Sequence, residues 1–367
     1  MKILVTGSKG FIGKNLCYQL ENEKHEIFRY DLGNTVEELA SMIEEVDFIF
    51  HLAGINRPQN VEEFYKGNSD LTKTIIELIE KGQHRIPILL SSSIQAAMEN
   101  DYGKSKLQAE EHIYEYGIKN DIPVYIYRLA NVFGKWSKPN YNTVIATFCY
   151  KIARGEAIEI NDPGKEVSFV YIDDVVKSFI SCLEVPINKE RYLGIQPIYT
   201  KTLQELADLI YSYKKSRDNF EIISVNDEFS KKLYSTYLSF LAEDDFSYPS
   251  INHMDDRGSF SELFKGSTFG QVSINISKPG ITKGNHWHHT KTEKFVVVKG
   301  KGLIRFRKID SDDIIEYPVS GDEIQIVDIP PGYTHSIVNT GEEDLVTIIW
   351  ANELFDAENP DTYYLEV

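Results

Sequence analysis

Cysteine is scarce in this chain. Among 367 residues there are three, Cys17, Cys149 and Cys182, and no two stand at the spacing of a CxxC metal or redox motif. A sparse, odd count argues against a disulfide scaffold and fits reduced thiols in a reducing compartment. Long apolar runs are missing too: no stretch approaches the roughly 20 residues that span a bilayer. "MKILVTGSKG" enters a strand at once, without the longer apolar core and cleavage site of a signal peptide. A basic run is also lacking. With a net charge of −17, nucleic acid and anionic membrane are poor partners, whereas a phosphorylated small molecule is not excluded, because a helix N-terminus and a few local cations can bind one. Repeats and low-complexity stretches are absent as well. The expectation is a cytoplasmic protein with no nucleic-acid or membrane partner.

What is present is ordinary globular composition, 42% hydrophobic and 26% charged, in a chain longer than one hydrophobic core usually serves, so two domains are expected. Their periodicities differ. From Met1 to about Ala242, runs such as "KILVTG", "EIFRYD", "DFIFHLAG", "PILLSSS" and "PVYIYRLANVFG" read as buried parallel strands. They alternate with helical stretches such as "GKNLCYQLENE" and "LTKTIIELIEK", which predicts a Rossmann-type, doubly wound α/β domain over residues 1–245. After "EDDFSYPSIN" the chain becomes all-β. "QVSINISK", "EKFVVVKGKGLIRFRKI", "EIQIVDIPPGYTHSIVNTG" and "DLVTIIWANE" are strands broken by Gly, Pro and Asn turns, predicting a small barrel or jelly roll over 246–367.

"VTGSKGFIG" places Gly7, Gly10 and Gly13 directly after the first strand and at the start of a helix, with Lys9, Phe11 and Ile12 between them. Such glycines let backbone approach a pyrophosphate at the positive helix end. Asp31 closes the second strand 18 residues beyond Gly13, where an acid bonds a ribose 2′-hydroxyl. Lys9 could instead attract a 2′-phosphate, so NAD and NADP both remain open here. "DYGKSK" supplies Tyr102 and Lys106, an i, i+4 pair on one helix face. A fixed ammonium beside a phenol is expected to lower its pKa toward catalytic use. Ser93, at the end of "LLSSS", is placed to hydrogen-bond a substrate carbonyl.

These residues, with "HLAG" (His51, Leu52, Ala53, Gly54), "RLANVFG" and "FVYIDDVV", resemble the extended, sugar-nucleotide-modifying branch of the short-chain dehydrogenase/reductase superfamily over roughly residues 1–240. The resemblance implies Ser93, Tyr102 and Lys106 as the catalytic triad, Tyr102 delivering a proton as hydride reaches a ketone. Only eight residues separate Ser93 from Tyr102, fewer than in most of that branch, which leaves Ser92 as the alternative serine. Trp136 and Tyr141 are either base-stacking or structural.

In the second half Gly280, His286, His288, Glu293 and Gly300 match the first cupin motif, and "PPGYTHSIVN", with His335, matches the core of the second. His286 and His288, two apart on a strand, project to one face. With Glu293 and His335 they form an N3O set suited to Zn²⁺, Fe²⁺, Mn²⁺ or Ni²⁺, against the alternative of a metal-free polar barrel. "DDRGSFSELF" and "PGITKGNHW" resemble metal-independent deoxysugar-nucleotide epimerases of the cupin class. That likeness implies His286 as a base rather than a ligand, Lys283 meeting the substrate, and Tyr333 as an acid on the opposite face.

Taken end to end, through "CYKIARGE", "LYSTYLSFL", "NISKPGITKGNHWHHTK" and "PDTYYLEV", the sequence resembles the bifunctional capsular-polysaccharide enzymes that fuse such a reductase to a zinc cupin. The resemblance implies C3 epimerisation followed by NADPH-dependent C4-keto reduction of a UDP-2-acetamido-2,6-dideoxy-4-hexulose to UDP-N-acetyl-6-deoxy-L-talose, on the route to N-acetyl-L-fucosamine. It further implies NADPH, with NADH as the alternative, a zinc ion, and a homodimer. Three rival readings stand beside it: a cupin that only dimerises an ordinary sugar-nucleotide reductase or 4-epimerase, an iron dioxygenase, and a cofactor sensor.

Overall fold

The computed structural model describes residues 1–184, 190–356 and 358–367. The chain forms two compact units, one of residues 1–211 with 225–243 and one of residues 212–224 with 244–367. The sequence-based split after residue 245 leaves residues 212–224 on the other side.

In the first unit the chain runs β1 (Lys2–Thr6), α1 (Phe11–Asn22), β2 (Glu26–Tyr30), α2 (Val36–Ile43), β3 (Phe48–His51), α3 (Glu62–Phe64), α4 (Leu71–Lys81), β4 (Ile88–Ser93), α5 (Asp101–Asn120) and β5 (Val124–Leu129). The five strands pair in parallel in the order β2-β1-β3-β4-β5. The order reverses between β1 and β3, and in sheets of this type ligands bind beyond the carboxyl ends of the strands at that switch point. Helices cover both faces, so β3 is buried at all four positions, "FIFH". Leu4, Ile49, Ile88, Leu90 and Ile126 pack one face of the sheet against Leu39, Ile43, Ile75, Ile79, Ile113 and Tyr116. Each such aliphatic burial contributes roughly 1.5–3 kcal/mol.

"PVYIYRLANVFG" does not form one strand. After β5 the chain leaves the sheet, and β6 (Asn131–Phe133) pairs instead with β7 (Glu166–Tyr171), which pairs with β8 (Tyr199–Thr202). Helices α6 (Val144–Ala153), α7 (Ile172–Ser181), α8 (Leu203–Asn219) and α9 (Glu228–Leu238) complete the series.

The second unit contains two antiparallel sheets. One has the order β16-β13-β18-β11-β10-β9: β16 (Ile326–Ile329), β13 (Glu293–Lys299), β18 (Leu345–Ala351), β11 (Gly270–Ser277), β10 (Gly258–Gly266) and β9 (Asn252–Asp255). The other has the order β15-β14-β17-β12-β19: β15 (Ile314–Ser320), β14 (Lys301–Lys308), β17 (Tyr333–Asn339), β12 (Thr282–Trp287) and β19 (Tyr363–Tyr364). Phe295, Val297, Ile304, Phe306, Ile337 and Leu345 fill the space between the sheets.

β11 departs from simple patterning. Its buried positions are Gln271, Ser273, Asn275 and Ser277, while Val272, Ile274 and Ile276 are only half-buried. Ser277 pairs with Leu345 and Asn275 with Thr347, so the polar positions face the interior and the aliphatic ones face outward with Val346, Ile348 and Trp350. A polar lane on the inside of a barrel wall is what a ligand cavity requires.

Candidate active sites

In the first unit Gly7 turns with φ +69°, which L-residues rarely adopt, and donates its N–H to Tyr30 O at 2.9 Å. A Cβ on Gly13 would stand 2.1 Å from Gly7 O, and one on Gly7 would stand 2.7 Å from Ala53 N. The loop thus permits contacts that any side chain would block. Gly10 begins α1 with no side-chain cap, leaving the first N–H groups of Phe11, Ile12 and Gly13 pointing outward with the positive end of the helix dipole. A dinucleotide pyrophosphate fits this cradle.

Asp31 sits beside the loop, but its carboxylate has other work: Oδ2 accepts from Lys9 N at 2.7 Å and Oδ1 from Leu32 N at 2.8 Å. The acid expected at a ribose hydroxyl therefore ties down the glycine loop. The Lys9 side chain is exposed.

β3 ends in His51, fully buried. Thr72 donates to Asn68 O at 2.6 Å, so its oxygen accepts from His51 Nε2–H at 2.8 Å, and Nδ1 accepts from the Thr6 hydroxyl at 2.7 Å. Burial, with the nearby Lys106 charge, lowers the His51 pKa to about 3, fixing a neutral ring. Thr6 Oγ1 also accepts Ala53 N–H at 3.2 Å, and Leu52 N donates to Thr6 O at 3.2 Å, so the network positions Leu52 and Ala53 beside the cradle. Gly54 follows, where a Cβ would lie 2.9 Å from Lys106 Nζ.

Asn68, which sequence reasoning did not single out, lies in a π-helical turn, Tyr65–Asp70. Its amide joins Ile55 N and Ile55 O to Ser105 Oγ, each at 3.0 Å. No local signal marks it, because the turn arises from how α3 and α4 join.

The structure separates the two serines. Ser92 is buried and donates to Glu110 Oε1 at 2.5 Å; Glu110, fully buried, also pairs with Arg128 Nη2 at 2.6 Å. Ser93 instead meets the Tyr102 phenol and accepts Gln95 N–H at 3.2 Å. α5 is started by Asn100, whose side chain accepts Gly103 N–H at 2.7 Å, and it carries both Tyr102 and Lys106. Lys106 Nζ donates to Ser91 O at 3.1 Å, and burial lowers its pKa to about 8 against the opposing pull of Glu110. The expected lowering of the Tyr102 pKa is not found. Burial pushes that phenol above its ordinary value, with Ser93 only partly offsetting it. Trp136 stands apart from this triad, in a groove of about 560 Å³ with Tyr18, Asn22 and Ile180.

In the second unit His286, His288, Glu293 and His335 gather one ligand atom each within 4.8 Å of one another. His288 and His335 are 1% and 0% exposed, yet His288 Nε2 and both nitrogens of His335 have no hydrogen-bond partner. Buried ring nitrogens without partners cost energy unless something accepts their lone pairs. His288 Nε2 and His335 Nε2 each stand 3.4 Å from Glu293 Oε2. Tetrahedral donors around a first-row divalent ion stand roughly 3.3–3.8 Å apart, so these two separations suit one, and the wider spacing of the full set, within 4.8 Å, needs a modest contraction around it. Burial alone would raise the Glu293 carboxyl, but His288, His335 and the Lys291 ammonium, 3.2 Å from Oε1, hold it well below the usual carboxylate range. Burial and His335 lower His286 to about 4, leaving its ring neutral and able to ligate.

A β-bulge explains how β12 serves this interior. Asn285 takes φ +59° and shifts the register between Gly284 and His286, so Lys283 and His286 both face inward although three residues apart. Lys283 opposes Ile337 and His286 opposes His335. The Lys283 Nζ donates to Asn275 Oδ1 at 2.7 Å, Ile276 O at 3.0 Å and Ser259 O at 3.5 Å. It closes one side of a cavity of about 260 Å³ lined also by His253, Asp255 and Arg257. Tyr333, two residues before His335 on β17, shares its inward face. His289 is exposed and packs on Trp287 and Tyr363.

Comparison with known proteins identifies the family. Residues 3–193 match the NAD dependent epimerase/dehydratase family, and residues 253–363 match the polysaccharide biosynthesis C-terminal domain. A Pseudomonas aeruginosa protein described as UDP-2-acetamido-2,6-beta-L-arabino-hexul-4-ose reductase is 46% identical over 100% of this chain and 99% of its own. The solved capsular polysaccharide assembling protein CapF of Staphylococcus aureus superposes with a TM-score of 0.93 at 50% identity, covering 100% of both chains. The UDP-glucose 4-epimerase of Thermotoga maritima shares the fold alone, with a TM-score of 0.56 at 19% identity over 65% of this chain and 98% of that one. The chain belongs to the NAD dependent epimerase/dehydratase family, in the CapF-type group that joins this domain to a polysaccharide biosynthesis C-terminal domain.

Proposed function

We propose that the chain is a bifunctional sugar-nucleotide enzyme: the second unit epimerises C3 of a UDP-2-acetamido-2,6-dideoxy-4-hexulose, and the first reduces the C4 ketone to give UDP-N-acetyl-6-deoxy-L-talose. The observation that carries this reading is the presence of both constellations in one chain similar over its whole length to a 4-hexulose reductase. One is Ser93, Tyr102 and Lys106 beside the glycine cradle; the other is the four-donor cluster.

When bound, a reduced nicotinamide supplies hydride to C4, and a divalent ion in the cluster, zinc in this proposal, supplies positive charge for an enolate oxygen. The remaining chemistry is the chain's own. Ser93 hydrogen-bonds the C4 carbonyl. Tyr102, kept protonated by its raised pKa, donates its phenolic proton as the alkoxide forms. Lys106 holds a positive charge at the strand ends, where a nicotinamide ribose would lie. Gly7, Gly10 and Gly13 admit the pyrophosphate. The exposed Lys9, together with the Asp31 carboxylate already held by backbone, favours NADPH over NADH.

In the barrel the 4-ketone acidifies the C3 proton. Epimerisation needs a base and an acid on opposite ring faces, and Tyr333 is the acid placed on the inward face of β17. His286 is the least buried of the four cluster residues; that favours a second reading in which it serves as the base while the other three hold the ion. Reduction then draws the reversible epimerisation forward.

We further propose a homodimer, supported by the outward aliphatic face of β11 and β18. The test of the two-step reading is product analysis. Wild-type protein with NADPH should yield the C3-inverted 4-hydroxy product, and Tyr102→Phe should accumulate only interconverting 4-keto sugars. A product reduced without inversion would reject the epimerase half.

A further inference from the structure

Far along the sequence from the histidine motif, the segment after Pro360 returns to it. Asp361 Oδ1 accepts His289 N at 2.9 Å, and Oδ2 accepts Thr290 N at 2.7 Å, Lys291 N at 2.8 Å and Thr290 Oγ1 at 3.1 Å. Three successive backbone donors thus close on one carboxylate. The Asp361 carbonyl oxygen accepts from His288 Nδ1 at 2.5 Å. That bond leaves the Nδ1–H tautomer, so the bare lone pair of His288 is on Nε2, the nitrogen 3.4 Å from Glu293 Oε2.

The residues that follow tie the segment down. Tyr363 and Tyr364 pair with Trp287 and His286 as β19. Leu365 N donates to Asn285 O at 3.0 Å, at the bulge that turns His286 inward, and Thr334, next to His335, donates to Leu365 O. One short strand therefore touches the backbone or ring of each histidine of the cluster or its immediate neighbour.

We infer that Asp361 is a positioning residue for the cluster, and that the segment 361–365 is a strap that sets the His288 tautomer and holds the loop 289–291 in the ligating conformation. This rests on the proposed metal reading and deepens it: the ion's affinity is set from a part of the sequence that carries no ligand. Outer partners of metal ligands typically control affinity by 10–100-fold.

The test uses the full chain and zinc alone. Zinc affinity is measured by competition with a chromogenic chelator, and the His288 ring tautomer by ¹⁵N NMR of histidine-labelled protein. Asp361→Ala removes the carboxylate that gathers three N–H groups, and should weaken zinc 10–100-fold. Asp361→Asn keeps one acceptor oxygen and should recover part of that loss. Leu365→Pro removes one N–H from the strap without touching Asp361, and should shift the His288 ring signals toward a tautomer mixture. His335→Ala is the control for the metal itself. If the parent chain and His335→Ala hold zinc equally poorly, the metal reading fails. If the parent binds tightly, His335→Ala does not, and both Asp361 variants, folded by circular dichroism, keep parental affinity, the strap inference is overturned while the metal reading stands.

Discussion

Lys106→Met should make the first unit more stable at neutral pH while disabling it as a reductase. Lys106 is 6% exposed, and burial lowers its pKa from 10.5 to about 8. A lysine whose folded-state pKa lies below its unfolded value penalises the folded state wherever it must be charged. The unfolded chain binds more protons between pH 8 and 10.5, so the penalty is present in full below about pH 8 and is lost as pH rises to about 10.5. That drop corresponds to about 3 kcal/mol. Methionine removes the titration and keeps an unbranched stem, but it leaves Ser91 O without its donor at a cost of about 1–2 kcal/mol. The variant should therefore be about 1–2 kcal/mol more stable than the parent at pH 7, and less stable by a similar amount near pH 10.5. Urea unfolding at pH 7 and pH 10 would measure this, with Trp287 and Trp350 replaced by phenylalanine so that Trp136 alone reports the first unit. A parent–variant difference that does not change with pH would refute the reasoning. Carbonyl reduction by the variant should fall by about 10²–10⁴-fold.

Tyr102→Phe should lower the reductive kcat by about 10²–10⁴-fold with little change in substrate KM, read by NADPH absorbance. Ser93→Ala should lower kcat while leaving stability within about 1 kcal/mol. Ser92→Ala, which strips a donor from the buried Glu110–Arg128 pair, should instead cost about 1–3 kcal/mol in urea unfolding with kcat within a few-fold. Gly13→Ala puts a Cβ 2.1 Å from Gly7 O, so the loop must shift; the NADPH KM should rise at least about tenfold, while C3 proton exchange by the second unit stays at the parental rate.

How much of this was readable beforehand depended on range along the chain. The glycine loop, the Tyr102–Lys106 pair and the His286–His288 spacing are local patterns whose geometry follows from one strand or one helix face, and the structure assembles each. What the sequence hid lies farther apart or in backbone detail. Asp361 is remote from His288, and no periodicity connects them. Asn68 acts from a π-turn that helix patterning does not distinguish from an ordinary helix. β11 alternates polar and aliphatic residues, which leaves open the face that turns inward; its Gln, Ser and Asn positions are the buried ones, and Asn275 lines a cavity. The break between β5 and β6 falls at Ala130, inside a run that is mostly apolar apart from Arg128 and Asn131, so composition alone did not place it. Lys283 and His286 stand at an odd spacing that should split them between faces; only the φ of Asn285 brings them together. Asp31, in the position of a ribose acid, has Oδ2 held by Lys9 N of the glycine loop, a contact that depends on tertiary placement, while Oδ1 accepts from its own neighbour, Leu32 N.

The most direct test of two chemistries in one chain is deuterium entry at C3 of the 4-keto sugar nucleotide, followed by NMR in D₂O without NADPH. The parent protein should exchange, Tyr102→Phe should exchange undiminished, and His335→Ala should lose exchange. No exchange by the parent, or exchange that disappears with Tyr102 and survives loss of the cluster, would contradict the two-chemistry reading.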